Sequence, residues 1–335
     1  MMETMVRHSC LIKHVVADSL LQMTIVCSVL HLLVDGLCVC SLYLMAAALS
    51  TPHLVGAFLT YNVLAFLSQP LTGLWADRMQ RKHWMLLASV LLLTIAVSVT
   101  SVVVILRLSA LGVMVVPVLL GMGNSLFHVW GGKQVAIKTG NDMRALGTFV
   151  STGAFGLSLG FVFFSWPLLY ASLLSICLLS TAYLHLDFSK DSPKGYEKTS
   201  GHQFSSLFVV LSLLVLMLVV MLRSLVGETF GGEIPKSSGL VLLIGFLSML
   251  GKMSGGWIAR RLGIVRMLVL AVFVVVLCLV FRSQGMAVLL VGLFAVNSTM
   301  PVTLYLANVV LPKHEGLAFG LLAAALIPGY LLAVV

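Results

Sequence analysis

Residues 54–105 read LVGAFLTYNVLAFLSQPLTGLWADRMQRKHWMLLASVLLLTIAVSVTSVVVI. A short polar turn, Asp77-Arg78-Met79-Gln80-Arg81-Lys82, separates two apolar runs of about twenty residues. At about 1.5 Å rise per residue, each run as a helix matches a hydrocarbon core of roughly 30 Å. The same alternation extends in both directions. Apolar spans fall near 20–46, 54–75, 84–105, 108–127, 145–165, 168–186, 204–226, 239–259, 264–281, 286–309 and 316–335.

The 335 residues are 60% hydrophobic and 9% charged, with a mean hydropathy of +1.11. A soluble domain carries roughly 25% charged residues, so this chain lacks the material for a water-facing surface. Outer-membrane strands would alternate every two residues in segments of about ten, and these runs do not. The expected fold class is an all-α polytopic membrane protein. One apolar run could be a removable leader, but eleven in succession could not, so no cleaved targeting segment is expected.

The net charge of +9 forms no stripe suited to nucleic acid. With the amino terminus in the cytoplasm, fifteen basic residues fall on the inner side: Arg7, Lys13, Arg78, Arg81, Lys82, Lys133, Lys138, Arg144, Lys190, Lys194, Lys198, Arg260, Arg261, Arg266 and Lys313. Four fall outside or at span ends, namely Arg107, Arg223, Lys236 and Arg282, and Lys252 lies within a span. That bias predicts a multi-pass inner-membrane protein with its amino terminus inside.

The polar stretch 187–203, with Pro193 and Gly195, reads as a cytoplasmic linker. It divides a six-helix bundle, 1–186, from a five-helix bundle, 204–335. The segment Gly255-Gly256-Trp257-Ile258-Ala259-Arg260-Arg261 aligns with the turn after span two at an offset of 183, Gly73 over Gly256 and Asp77 over Arg260. Duplicated halves of this kind recur among secondary transporters.

Gly73-Leu-Trp-Ala-Asp77-Arg78-Met-Gln-Arg81-Lys82 is similar to the signature loop of the major facilitator superfamily. More narrowly, the chain resembles the fosmidomycin-resistance-like branch. Those pieces are His31-Leu-Leu-Val-Asp35, Gly121-Met-Gly-Asn-Ser-Leu-Phe127-His128, the run from Gly147 to Gly160, Leu222-Arg223-Ser224, and Leu311-Pro312 followed by Glu315 to Gly320. The resemblance implies a two-bundle transporter working by alternating access. It also implies that Gly73, Asp77, Arg78, Arg81 and Lys82 act as a conformational latch that holds one face closed through a helix terminus of the other bundle. Gln80 stands where the signature has glycine, and Arg260 where its second copy would be acidic. The family has twelve spans, and the expectation here is eleven, without the twelfth.

Asp35 lies within an apolar helix, where a lone charge costs several kcal/mol. His31, four residues earlier, shares its face, so the two form either a proton-binding pair or a structural lock. His128 is expected at the inner end of span four, as a gate or proton carrier, or as an interfacial anchor with Trp130. Arg223 could attract an anion, with Glu228 its nearest partner, or snorkel to headgroups. Lys252 could reach the interface. Gly147, Gly153, Gly156 and Gly160 allow close helix packing, and by resemblance suggest an exporter. Pro301 and Asn297 could supply a kink and a cavity hydrogen bond.

The six cysteines carry no metal spacing, there is no nucleotide-binding or metalloprotease motif, and no cofactor or metal is expected. The expectation is a non-enzymatic, monomeric, lipid-embedded transporter that exports a small molecule against protons, the alternatives being an importer of the same fold or a non-transporting membrane sensor or assembly subunit.

Overall fold

The computed structural model describes residues 2–46, 49–79, 83–106, 114–186 and 205–334, with side chains from residue 20 onward. The expected linker 187–203 and the latch residues Arg81 and Lys82 lie outside the described residues.

Among the described residues eleven helices follow one another: α1 (Met2–Ala46), α2 (Thr51–Arg78), α3 (Trp84–Leu106), α4 (Val115–Lys138), α5 (Met143–Val162), α6 (Trp166–Leu186), α7 (Ser206–Glu233), α8 (Ser238–Leu262), α9 (Ile264–Val280), α10 (Met286–Val310) and α11 (Glu315–Ala333). Nine of these are long and apolar enough to cross a membrane. The exceptions are the shorter α9 and the polar α4. Large apolar side chains such as Leu71, Ile105, Leu174, Val265 and Val269 cover the outside of the bundle. A water-soluble protein of this size would bury such residues, whereas acyl chains solvate them.

The fourth span departs from the expected 108–127. Helix α4 runs seven residues later at its start and eleven later at its end. Hydropathy favoured the apolar residues before Gly121, yet Asn124, Ser125, His128 and Gln134 are buried against other helices and never meet lipid. A helix enclosed on all sides can be polar in mid-membrane provided its polar groups find protein partners.

Three helices are broken, each near a proline that lacks the backbone N–H and whose ring crowds the carbonyl four residues back. Pro70 follows a π-helical turn at Val63–Leu67 in α2. Pro301 follows the break of α10 at Thr299, as the sequence suggested, and Pro328 follows the break of α11 at Ala325. All three helices contribute to one central cavity.

Helix α5 packs along α1 on one side and along α8 on another. Gly156 and Gly160 lie directly on the backbone of α1 at Leu32 and Gly36, and Gly147 lies on the backbone of α8 at Lys252. Backbone contact of this kind holds helices together where no hydrophobic drive separates protein from lipid. The five described cysteines, Cys27, Cys38, Cys40, Cys177 and Cys278, are free thiols.

Candidate functional site

The cavity, of about 490 Å³, is lined from α1, α2, α4 and α5 on one side and from α7, α8, α10 and α11 on the other. Its ionisable lining divides by wall. His31, Asp35 and His128 stand on the first; Arg223, Glu228, Lys236 and Lys252 stand on the second.

On the first wall, α1 presents His31 and Asp35 one turn apart, with His31 Nε2 3.3 Å from Asp35 Oδ2. Helix α4 brings His128 Nε2 to 2.9 Å from Asp35 Oδ1, and Asn124 Nδ2 donates to that oxygen at 2.8 Å. Gly153 of α5 makes the space: a side-chain carbon there would collide with both Asp35 and His31. All three ionisable side chains are at most 7% exposed. His128 and Trp130 are both buried among protein side chains. Trp130 is buried against Tyr183, its ring 5.0 Å away.

Hydrogen-bond counting fixes the protons. His31 Nδ1 is 2.7 Å from the Phe149 carbonyl, which can only accept, so this nitrogen carries hydrogen. Gln69 Nε2 donates to the Ala65 carbonyl at 2.7 Å, which sets its amide orientation, and also faces His128 Nδ1 at 3.4 Å. Nδ1 of His128 accepts and its Nε2 donates to Asp35. That pattern leaves room for one exchangeable proton, between His31 Nε2 and Asp35 Oδ2. It makes either an imidazolium–carboxylate pair or a neutral imidazole beside a carboxylic acid.

On the second wall, Arg223 is 7% exposed and its Nη1 donates to Thr303 Oγ1 at 3.4 Å. The expected partner Glu228 makes no ion pair with it among the described residues; the charge acting on Glu228 is Lys236. Lys252 lines the cavity rather than reaching for headgroups, and its charge acts on both Asp35 and His128. Asn297 also lines the cavity, donating to Leu293 O at 2.8 Å.

At one end of the bundle α2 meets the start of α11. Asp77, its side chain 1% exposed, accepts hydrogen bonds from the backbone N–H of Gly316 at 3.0 Å and Leu317 at 2.9 Å, at the start of α11. Lys133 Nζ of α4 sits 3.0 Å from the same carboxylate. Gly73 lets α2 touch the Gly316 backbone, where any side chain would collide. Arg78 is exposed at the end of α2. At the same end Asp142, which the sequence did not single out, caps α5 through Arg144 N at 2.9 Å. Arg144 pairs with it at 2.6 Å and Arg260 of α8 at 3.0 Å. Burial opposes ionisation of Asp142, but the hydrogen bonds from Arg144 and the charges of both arginines outweigh it and hold its carboxyl below the usual range.

No curated protein matches the chain. Among solved structures it is similar to an E. coli fucose:proton symporter, at 13% identity and a TM-score of 0.62, with 94% of this chain and 90% of that chain covered. It is similar to a bacterial homologue of the iron transporter ferroportin in an outward-facing state, at 14% identity, TM-score 0.63, covering 92% and 90%. It is also similar to the human organic anion transporter MFSD10, at 15% identity, TM-score 0.60, covering 93% and 92%. Identities this low establish a shared fold. The Major Facilitator Superfamily model matches residues 24–333, nearly the whole chain, and the chain therefore belongs to that superfamily: a multi-pass membrane protein of the secondary-active, alternating-access transporter type, not an enzyme.

Proposed function

We propose that the chain is a proton-coupled transporter of a small organic anion. The observation that carries this reading is the 3.3 Å contact of His31 Nε2 with Asp35 Oδ2 on one cavity wall, which has room for one shared proton, facing Arg223 and Lys252 on the other. An anion entering the cavity is attracted by those two cations. It also changes the field that Lys252 exerts on Asp35 and His128, so solute and proton occupancy are coupled through the cavity.

In this reading residues 1–186 and 204–335 form two bundles that rock about the cavity, in a monomer of the inner membrane. The basic-residue bias puts the amino terminus, and so the Asp77 end, in the cytoplasm. The cavity is lined by Phe58, Glu228, Lys236 and Tyr330 and not by Asp77, so in this reading its mouth faces outward. Gly73, Asp77 and Lys133 are the latch that holds the inner face shut, with Arg78, Arg81 and Lys82 beside it.

For direction, uptake with protons is favoured over export by the similar fold of the fucose:proton symporter. Export, which the glycine-rich α5 and the branch resemblance suggest, predicts the opposite proton movement in one assay. Purified protein in liposomes, with a pH dye inside, is offered a panel of small carboxylates and phosphonates. Symport acidifies the lumen on adding external solute, and exchange makes it alkaline. With Asp35→Asn, solute exchange without net proton movement is expected. Unaltered proton coupling in that variant would refute the role of the triad.

A further inference from the structure

The cluster on the first wall has the make-up of a metal site. One ring nitrogen from each of His31 and His128 and a carboxylate oxygen of Asp35 lie within 4.8 Å of one another, and all three residues border the cavity. We propose that these side chains bind a divalent first-row transition-metal ion in place of the shared proton. This goes beyond the transport reading and needs neither its solute nor its direction.

Two imidazoles and one carboxylate on a single side of an ion leave further coordination positions open, here toward the cavity. That ligand set suits iron(II), cobalt(II) or zinc(II) and is poor for magnesium or calcium. Bonds of about 2.0–2.2 Å would draw the ligand atoms to about 3.0–3.5 Å apart. The two histidine–carboxylate separations, 3.3 Å to Oδ2 and 2.9 Å to Oδ1, fall in or near that range but run to different oxygens, so the carboxylate must turn or bind through both. The largest spacing must contract by about an ångström.

The surroundings support the same chemistry. Metal-ligating histidines donate their second N–H to a carbonyl or carboxylate, which fixes the ring, and His31 Nδ1 already does so to Phe149 O at 2.7 Å. His128 would need to carry its hydrogen on Nδ1 and so requires an acceptor there. Gln69 Oε1, beside it on α2, is buried with no hydrogen-bond partner among the described residues. Turning that amide would supply the acceptor at the cost of its bond to the Ala65 carbonyl, which would then face a second acceptor. Asn124 Oδ1, on the residue that already contacts Asp35, is a second buried oxygen without a partner among the described residues. The sequence offers no metal-ligand spacing because α1 and α4 supply the ligands from positions 93 residues apart.

The proton balance is definite. Before binding, His31 with both ring nitrogens protonated, Asp35 ionised and neutral His128 hold one shared proton. Afterwards both imidazoles are neutral, each with Nδ1–H and with Nε2 on the ion, and the carboxylate is ionised. One proton is released per ion bound. Lys252 opposes binding because its charge acts on the same residues.

The test uses the full chain in lipid nanodiscs with cobalt(II) as probe. One ion per chain is expected, with a visible d–d absorption band, one proton released, and no competition from millimolar magnesium. X-ray absorption of the zinc-loaded wild type should show two imidazoles in the first shell, a measurement that needs no variant. His31→Gln and His128→Gln should abolish the band, and Gln69→Leu should weaken binding by about 10- to 100-fold. Lys252→Met should tighten it several-fold while weakening the capture of any organic anion. Fewer than two imidazoles per zinc, or a cobalt band that survives both histidine variants, would overturn the assignment. So would no uptake by correctly folded wild type.

Discussion

The two copies of the repeated turn sit at the same end of the bundle and meet the same kind of partner by opposite means. Gly73 of α2 lies on the backbone at the start of α11, and Gly256 of α8 lies on the backbone at the start of α5, at Met143. In the first copy the carboxylate belongs to the turn: Asp77 reaches across to the N-terminus of α11 and is sealed from solvent. In the second the carboxylate belongs to the helix: α5 carries its own cap, Asp142, and the turn contributes Arg260, which is 58% exposed. Helix N-termini attract negative charge, so both arrangements satisfy the same dipole. Only the buried one makes the cap depend on two segments staying together. In the proposed cycle Asp77 is the strong, breakable latch and Arg260 a weak tether.

The largest effect is expected from Asp77→Ala. It leaves two α11 N–H groups without their acceptor and the Lys133 ammonium with only the Ala76 carbonyl, in a buried contact, a loss of about 3–5 kcal/mol. That is at least about a hundredfold shift away from the closed Asp77 end. Spin labels at Arg78 and Pro312, both exposed, should report a longer and broader distance distribution. An unchanged distribution would break the comparison at its strong side.

Gly73→Ala comes next. Its added carbon meets the Gly316 backbone rather than a movable side-chain tip, so α2 and α11 must separate, at about 1–3 kcal/mol. The same labels should show a smaller displacement than in Asp77→Ala, with the carboxylate still present. Arg260→Ala should cost no more than about 1 kcal/mol, the range for an exposed ion pair. If its unfolding midpoint or label distances shift as far as those of Asp77→Ala, the two turns are equivalent and the distinction fails.

How much of this was legible in the sequence differs by feature. Ten of the eleven spans came through because lipid-facing helices must be apolar along most of their length. The fourth was found but set several residues early, because the polar second half of α4 is buried by protein and carries no hydropathy signal. His31 and Asp35 could be paired by their spacing on one helix. Their third member, His128, was recognised as a candidate, but no spacing could join it to Asp35, 93 residues away. Gln69 and Asn124 went unnoticed, although an amide inside an apolar helix was the available signal. The bond from Asp77 to α11 joins residues 239 and 240 positions away. Spacing cannot show such a contact, and only the family resemblance pointed to it. Asp142 was overlooked among the charges of a short turn, though an aspartate just before an apolar helix is a standard cap signal.

The smallest expected effect separates the charge of Asp142 from its capping role. Asparagine is as good a cap as aspartate, so Asp142→Asn keeps the bond to Arg144 N and removes the attraction to Arg144 and Arg260. The folded-state affinity of Asp142 for protons is lowered, so its charge contributes stability fully above the unfolded carboxylate value of about 3.9. That contribution is lost as pH falls through the lower folded value. Thermal unfolding of the wild type and the variant should therefore differ by a constant amount, worth no more than about 1 kcal/mol, from pH 8 down to about 5. The two should converge as the medium is taken below about pH 4. Transport that changes with pH near neutrality should change equally in both proteins, because in that range Asp142 stays ionised. A gap between the proteins that opens around neutral pH would mean that Asp142, rather than the His31–Asp35–His128 cluster alone, takes part in proton movement, and the weak tether would have to be counted as part of the transport cycle.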